Sequence, residues 1–419
     1  MESQSIIQEH LGKFRFGDSV CLFGDNSQKT NIEYAEVSSC SIQKFTNEFW
    51  TSKQRQADSL HEISYRACFK PQLPRFFIEL LTKEQDVVYD PFSGRGTTCI
   101  EAGLLNRNVI ANDINPLSKI LSEPRFFIPD IETLKNRLYS IPFTEKANST
   151  IDLSMFYHSE TEAEVLSLRK YLEQRRQIGK EDELDHWIRM VATNRLTGHS
   201  SGFFSVYTLP PNQAVSQESQ KKINEKRRQA PEYRNTKEII LKKSESLIRD
   251  ISDKKVIRLR KIGENSLFLM KDARFTPEIE SGCVQLTVTS PPFLDVVQYD
   301  EDNWLRCWFN SINAEEIASK ITMTKKVEDW CGVMSKVFEE LYRITKNGGY
   351  VAFEVGEVKG GELKLEEYVV PLGLTAGFSC EGIMINQQAF TKTANIWGVS
   401  NNEKGTNTNR IVIFRKSLI

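Results

Sequence analysis

Asp86-Val-Val-Tyr-Asp90-Pro-Phe-Ser-Gly94-Arg-Gly96-Thr-Thr98 (DVVYDPFSGRGTT) is the stretch that decides the fold. Asp86–Tyr89 is a short β-branched run, DPFSGRG is a turn, and Thr97–Leu105 reads as a helix. Asn108–Ala111 (NVIA) is the next strand and ends at Asn112-Asp113. Strand, loop, helix and strand in that order build a parallel α/β sheet. Glycines at 94 and 96 let the backbone approach a ligand closely, and the following helix start presents free N–H groups. Many α/β proteins need such a turn only to turn. Asp113 sharpens the reading, because an acid 23 residues after Asp90 at the next strand end is placed to accept both hydroxyls of a ribose. A nucleoside-containing ligand is expected. No GK[ST] follows the glycines, which argues against a triphosphate.

Working outward, His61–Leu81 reads as a loop leading into a short helix marked by Pro71 and Pro74, and residues 1–60 show a strand near Asn31–Val37 but no motif. On the other side, Asp130 to Lys261 is charged and helix-rich, broken by an irregular stretch at Thr197–Ala214. Alternating strands and helices resume at Ser266 with LFLM, VQLTVT, a helix at Glu301–Phe309 and a longer one at Lys325–Thr345. GGYVAFEV then follows a glycine C-cap, and two late apolar runs end in RIVIF. The expected architecture is an α/β doubly wound mixed sheet, helices on both faces, wrapped around a helical insertion. Its divisions are an N-terminal extension (1–60), a cofactor half (61–129), the insertion (130–261) and a catalytic half (262–419).

VQLTVT ends in Thr289-Ser290-Pro291-Pro292-Phe293. Two prolines fix an extended, rigid backbone and remove two N–H groups, so carbonyls remain as polar atoms beside a hydroxyl and an aromatic face. That set suits accepting hydrogen bonds from an amino group on a flat ring. A plain strand-ending turn is the alternative for SPPF alone, and the glycine loop elsewhere in the chain weighs against it.

With 419 residues the chain has room for two or three structural units, and 39% hydrophobic with 26% charged residues excludes disorder and collagen-like repeats. No apolar run approaches a membrane span. MESQSIIQEH carries acids where a signal peptide needs bases, and eight cysteines without a CxxC pair suit a reducing cytosol. Net charge is −1, yet Gln220–Lys261 holds 15 Lys+Arg against 6 Asp+Glu. Such a segment is the electrostatic footprint of a polyanion contact, or else a long solvated helix. Lys221, Lys222, Arg227 and Arg228 are its candidate phosphate contacts, beside a Thr197–Ser216 loop with Asn, Gln, Ser and His to read base edges. His158, His186 and His199 lack metal-ligand spacing, Asp182, Glu183 and Asp185 read as a solvated helix start, and no metal is expected. Trp304, Trp308 and Phe309 read as core rather than as base-stacking residues, and Arg306 is a weak candidate to face a phosphate.

DPFSGRGTT followed by TSPPF resembles the paired signatures of S-adenosylmethionine-dependent amino methyltransferases acting on DNA, and the serine form is similar to the N4-cytosine members. HEISYRACFKPQLPRFFIELL, IANDINP, LFLMKDAR, LYRITKNGGYVAFEVGE and TKTANIWGV...GTNTNRIVIF resemble further segments of the same enzymes. The motif order departs from the commoner serine-bearing arrangement, in which SPPF comes first. The resemblance implies that Lys70 and Pro71 lie by the methionine moiety and that Phe92, Ser93, Gly94 and Gly96, in the loop running from Asp90 to Thr97, cradle it. It implies that Asp113 takes the ribose hydroxyls and Asp272 the adenine amino group. Ser290 and the Pro291 carbonyl, in the motif with Pro292, then accept from the target amine, with Phe293 stacked on the base.

Acceptors aimed at the N–H groups of cytosine favour a pyramidal nitrogen and the lone pair needed for attack on a methyl group. No Pro-Cys dipeptide is present for cytosine-C5 chemistry, and the target base has to leave the duplex. The resemblance implies double-stranded DNA as substrate, a cognate restriction endonuclease as functional partner, and a bacterial or archaeal cytoplasm. Adenine-N6 methylation, RNA guanine-N2 methylation and a DNA-binding module without catalysis remain as alternatives.

Overall fold

The computed structural model describes residues 5–16, 28–50, 57–65, 68–144, 149–209, 214–292, 299–321, 326–355, 363–387 and 408–418. Its strands are β1 (Arg15–Phe16), β2 (Gln28–Lys29), β3 (Asn31–Val37), β4 (Cys40–Asn47), β5 (Val87–Asp90) and β6 (Asn108–Asn112). They continue with β7 (Leu267–Leu269), β8 (Val284–Thr289), β9 (Thr345–Val355), β10 (Ser379–Gln387) and β11 (Thr408–Arg415). β1 and β2 form a small ribbon, and the other nine make one sheet in the order β3-β4-β10-β11-β9-β8-β5-β6-β7. The central strands β9, β8, β5, β6 and β7 are parallel, whereas β11 runs antiparallel to β9 and β10. The mixed, doubly wound sheet expected from the sequence is what forms.

Helices cover both faces because the central strands are apolar on both sides. Val88, Val109, Leu286, Val288, Ala352 and Ile411 face a core shared with the Gln72–Leu81 and Thr97–Leu104 helices. Tyr89, Ile110, Val351, Phe353, Val412 and Phe414 face the opposite core, closed by the Val327–Ile344 and Leu365–Ala376 helices. Phe338 on the first of these is fully buried, with ring centroids 4.9 Å from Phe353 and 5.3 Å from Phe414.

The chain passes from β5 to β6 and β7 on one side, then crosses to β8 on the other side of β5. The carboxyl ends of β5 and β8 thus flank a topological switch point, where open α/β sheets bind ligands. Both sequence motifs, the glycine loop and Ser290-Pro291-Pro292, leave the sheet at those two ends.

Three local expectations are corrected. The Val327–Ile344 helix is closed by Thr345, whose N–H bonds the Leu341 carbonyl, and β9 starts there, so no glycine caps it. Gly348 instead takes φ +78° beyond that point and donates its N–H to the Lys416 carbonyl on the neighbouring edge. The helix start at Asp182 is a capping box as expected, but it is not solvated throughout. Asp185 is fully buried and held by Arg137 and Arg175 at 2.8 and 2.6 Å, because two guanidinium groups supply the charge that burial would otherwise leave unpaired. The segment read as motif-free also does more than extend the chain. β3 and β4 pair antiparallel, and β4 runs parallel to β10, so this hairpin widens the main sheet.

The insertion is helical, with helices at Ile131–Ser140, Ser159–Gln177, Glu183–Arg195, Gln217–Arg227, Thr236–Ile248 and Asp253–Glu264, and an irregular segment at 197–209. Trp187 at its centre is fully buried and donates its indole N–H to Ser244 Oγ at 2.9 Å. Its apolar side chains belong to the same continuous core as the first face of the sheet. No described helix is long and apolar enough to cross a membrane.

Candidate active site

Asp90 closes β5 almost wholly buried, where its Oδ1 accepts from the Phe92 N–H at 3.1 Å and the Thr289 hydroxyl at 2.6 Å. Burial pushes its carboxyl up to about 7. One side chain thereby ties the start of the glycine loop to the end of β8. Thr98 adds a second tie through its hydroxyl to the Val288 carbonyl at 3.1 Å. The Ser93 N–H bonds the Asn112 carbonyl at 2.9 Å, and its hydroxyl meets that of Ser118 at 2.7 Å. Gly96 sits at φ +78°, and a Cβ there would lie 2.5 Å from the Ser122 Cβ, so conformation and space both require glycine.

Asp113 directly follows β6, the strand after the loop. Its Oδ2 accepts from the Gly94 N–H and its Oδ1 from the Asn115 N–H, both at 2.9 Å. Burial raises its carboxyl to about 6 against these two bonds. Each oxygen takes one backbone donor and retains a lone pair for a ligand hydroxyl.

The structure brings Phe92, Gly94, Asp113, Asp272, Ser290, Pro291 and Pro292 together around one pocket. Asp90, Ser93 and Thr97 lie behind it, no more than 5% exposed, and serve the loop's shape. Lys70 and Pro71 are outside the pocket lining, at the start of the Gln72–Leu81 helix, where their carbonyls accept from Leu73 and Arg75. Asp272 is chelated by Arg274, whose Nε approaches its two oxygens at 2.9 and 3.0 Å, and this pairing holds its carboxyl below the usual range. Phe293 and most of the late TKTANIWGV...GTNTNR segment fall outside the described residues.

Several contributors escaped the sequence reading. Tyr65 walls the pocket beside Gly94, and Met334 and Val337 close it from the Val327–Ile344 helix. Trp330 on that helix donates its indole N–H to the Pro292 carbonyl at 3.0 Å, which fixes the double proline. The Leu60–Ser64 segment before Tyr65 is clamped through its carbonyls. Arg125 binds that of Leu60 at 2.9 Å, Arg95 that of Ile63 at 2.7 Å, and Arg306 and Asn194 share that of Ser64 at 3.2 and 3.0 Å. Arg306 therefore points inward, and Trp304, Trp308 and Phe309 pack against the core as expected. Glu354, buried at the end of β9, lies beside Ser290 in the β8–β9 register and accepts from Asn409 Nδ2 at 3.0 Å, and burial raises its carboxyl above the usual range. An acid inside the apolar run YVAFEV was the available signal.

On the insertion, Lys221, Lys222, Arg227 and Arg228 are all exposed along the Gln217–Arg227 helix and its cap. Lys221 lies 3.5 Å from Asp152, and the Arg227 guanidinium stacks 3.8 Å over the Tyr207 ring. Among the described residues no group of three or more His, Cys, Asp or Glu side chains is arranged to hold a metal ion.

A glycine loop, the acid that follows the next strand and a rigid double proline thus meet in one cleft at the switch point of a Rossmann-like mixed sheet. Residues 22–121, which contain the loop and Asp113, match the family of the N6/N4 type described as DNA methylase. The resemblance to DNA amino methyltransferases read from the motifs is thus borne out. Type II methyltransferase M.MjaII of Methanocaldococcus jannaschii is 32% identical over 88 residues, which is 21% of this chain and 17% of that protein. Type II methyltransferase M.BsoBI of Geobacillus stearothermophilus is 30% identical over 132 residues, 29% of this chain and 26% of its own length. The matched stretches therefore span about a quarter or less of these relatives. Among solved structures, a SAM-dependent methyltransferase from Methanosarcina mazei aligns over 82% of this chain and 98% of its own, at 9% identity and a TM-score of 0.31.

Proposed function

We propose that the chain is a site-specific DNA methyltransferase that transfers a methyl group from S-adenosylmethionine to the N4 amine of cytosine in double-stranded DNA. The observation that carries this reading is the convergence of Gly94, Asp113 and Asp272 with Ser290-Pro291-Pro292 on one pocket at the switch point. The residues fit the cofactor. Gly94 at φ +51° leaves the loop open beside Tyr65, and Asp113 keeps acceptor capacity on both oxygens. Asp113 would hold the ribose and Asp272 the adenine amine, with Lys70 and Pro71 near the methionine end. When bound, the cofactor supplies a methyl group on a positively charged sulfur.

The chain's own part is to hold the amine. Ser290 and the Pro291 carbonyl accept from its two N–H groups, which draws the nitrogen toward the pyramidal form in which its lone pair is available. Phe293 stacks on the base. The exposed bases of the Gln217–Arg227 helix hold phosphates, and the insertion reads the target. The setting is restriction–modification in a bacterial or archaeal cytoplasm, with a cognate endonuclease as functional partner. Nucleoside mass spectrometry of DNA from cells expressing the protein tests this. N4-methylcytosine is expected. N6-methyladenine would overturn the choice of base, and no methylated nucleoside would overturn the reading.

A further inference from the structure

Thr289 pairs with Phe353 and Glu354 with Ile411 in the sheet, so Ser290 and Glu354 stand side by side on one face, and Asn409, two residues from Ile411, continues the row diagonally on β11. The neighbours in each strand on that face, Val288, Ala352 and Ile411, are fully buried. The row is thus a polar strip at the end of an apolar face, opening at its Ser290 end into the pocket. Asn409 Nδ2 donates to Glu354 Oε1 at 3.0 Å, and a carboxylate can only accept, so the Ser290 hydroxyl, its neighbour across the β8–β9 register, can meet it only as a donor. With its hydrogen committed, Ser290 Oγ presents only lone pairs to whatever lies in the pocket. A buried carboxylate, 7% exposed and next to the hydroxyl that lines the pocket, is also a place for a proton.

We infer that Glu354 is a positioning residue for the proposed methyl transfer, which orients Ser290 as an acceptor and receives through it the proton shed by the methylated amine. The inference rests on the function proposed above. As the N–C bond forms, the C–S bond breaks and its electron pair stays on sulfur. The nitrogen becomes cationic and gives one N–H proton to Ser290 Oγ, while the Ser290 hydroxyl proton passes to the Glu354 carboxylate. The products are a neutral methylated amine, a neutral serine and a protonated Glu354, which returns its proton to solvent.

The groups that face Glu354 among the described residues are Ser290 from β8 and Asn409 from β11. Asp90 on β5 is turned to Thr289, and Arg410 on β11 is paired with Glu366. The active form is the carboxylate, so kcat rises with pH as Glu354 ionises.

The test uses the full chain and labelled methyl transfer to plasmid DNA at saturating cofactor, so that cofactor affinity does not shape the profile. Glu354→Gln is expected to lower kcat about a hundred-fold and to lose the rising limb, with cofactor affinity by calorimetry unchanged. Glu354→Asp keeps a carboxylate and is expected to retain the limb at reduced kcat. Asp90→Asn, the other raised carboxyl nearby, is expected to keep it too. A readout independent of turnover is the infrared carboxyl band of the cofactor-free protein. A band that titrates in the parent should vanish in Glu354→Gln and titrate at higher pH in Ser290→Ala, which removes a bond favouring the ionised form. If the parent methylates DNA while Glu354→Gln keeps its kcat and profile, or Glu354→Asp is flat, the inference falls and the function stands. It falls equally if Ser290→Ala leaves the Glu354 titration unmoved. If the parent transfers no methyl group, the function itself falls.

Discussion

Asp113 shows how much chemistry one residue's placement carries. Its oxygens each accept one backbone N–H, and burial raises its carboxyl to about 6. On the proposed reading, Asp113→Ala leaves two ribose hydroxyls without an acceptor and weakens cofactor binding by roughly 1–3 kcal/mol, checked by calorimetry on the folded variant. The same carboxyl sets a pH dependence. Only the ionised form offers acceptors to both hydroxyls, so the parent's affinity should fall as pH drops through about 6, and the Ala variant should lose that dependence. Asp113 and Ser290 were legible because each stands next to a motif in its own stretch of chain. Glu354 and Arg274 were not. The first meets Ser290 only through strand register across 64 residues, and the second shows its effect only once a turn brings it onto Asp272.

Elements were legible where their periodicity was their own. The amphipathic Val327–Ile344 helix and the apolar strands β5, β6 and β8 followed from spacing alone. β3 is largely exposed, and the place of the β3–β4 hairpin in the main sheet depends on β10, more than 330 residues away, so local pattern could not assign it. The face closed by the Val327–Ile344 helix has a sharp test. Phe338 is fully buried among Phe353, Phe414 and Phe378, with centroids at 4.9, 5.3 and 6.5 Å. Phe338→Ala removes a ring from a packed aromatic group and should cost about 3–5 kcal/mol in denaturant unfolding. A cost under ~1 kcal/mol would show that the helix is not seated on Phe353 and Phe414. Because Met334 and Val337 of the same helix line the pocket, the variant should also lose affinity for ligands there.

At the scale of the molecule, charge is segregated rather than absent. Net −1 overall conceals 15 bases against 6 acids in Gln220–Lys261. That excess divides into two kinds in the fold. Lys237, Lys243 and Arg258 turn inward, toward the Ile141 carbonyl, Glu62 and the Leu104 carbonyl, and bind the insertion to its surroundings. Lys221, Lys222, Arg227 and Arg228 lie exposed along one helix and its cap, where the buried residue is Gln220. Composition could reveal the excess but not this division, since both kinds share one stretch of sequence. A protein whose core runs unbroken from the sheet into the insertion would hold the exposed set at a fixed place relative to the pocket. If that set grips the DNA backbone, each side chain on a phosphate releases about 0.9 of a counterion, and the log–log dependence of affinity on salt steepens by that amount. Replacing all four by alanine should flatten the slope by up to about 3.6 and weaken binding uniformly across DNA sequences, measured by fluorescence anisotropy at several salt concentrations. Thermal stability should change little, because the four side chains are solvent-exposed. A variant that keeps the parent's slope and affinity would make the helix a solvated face, and the phosphate contacts would have to come from elsewhere on the chain.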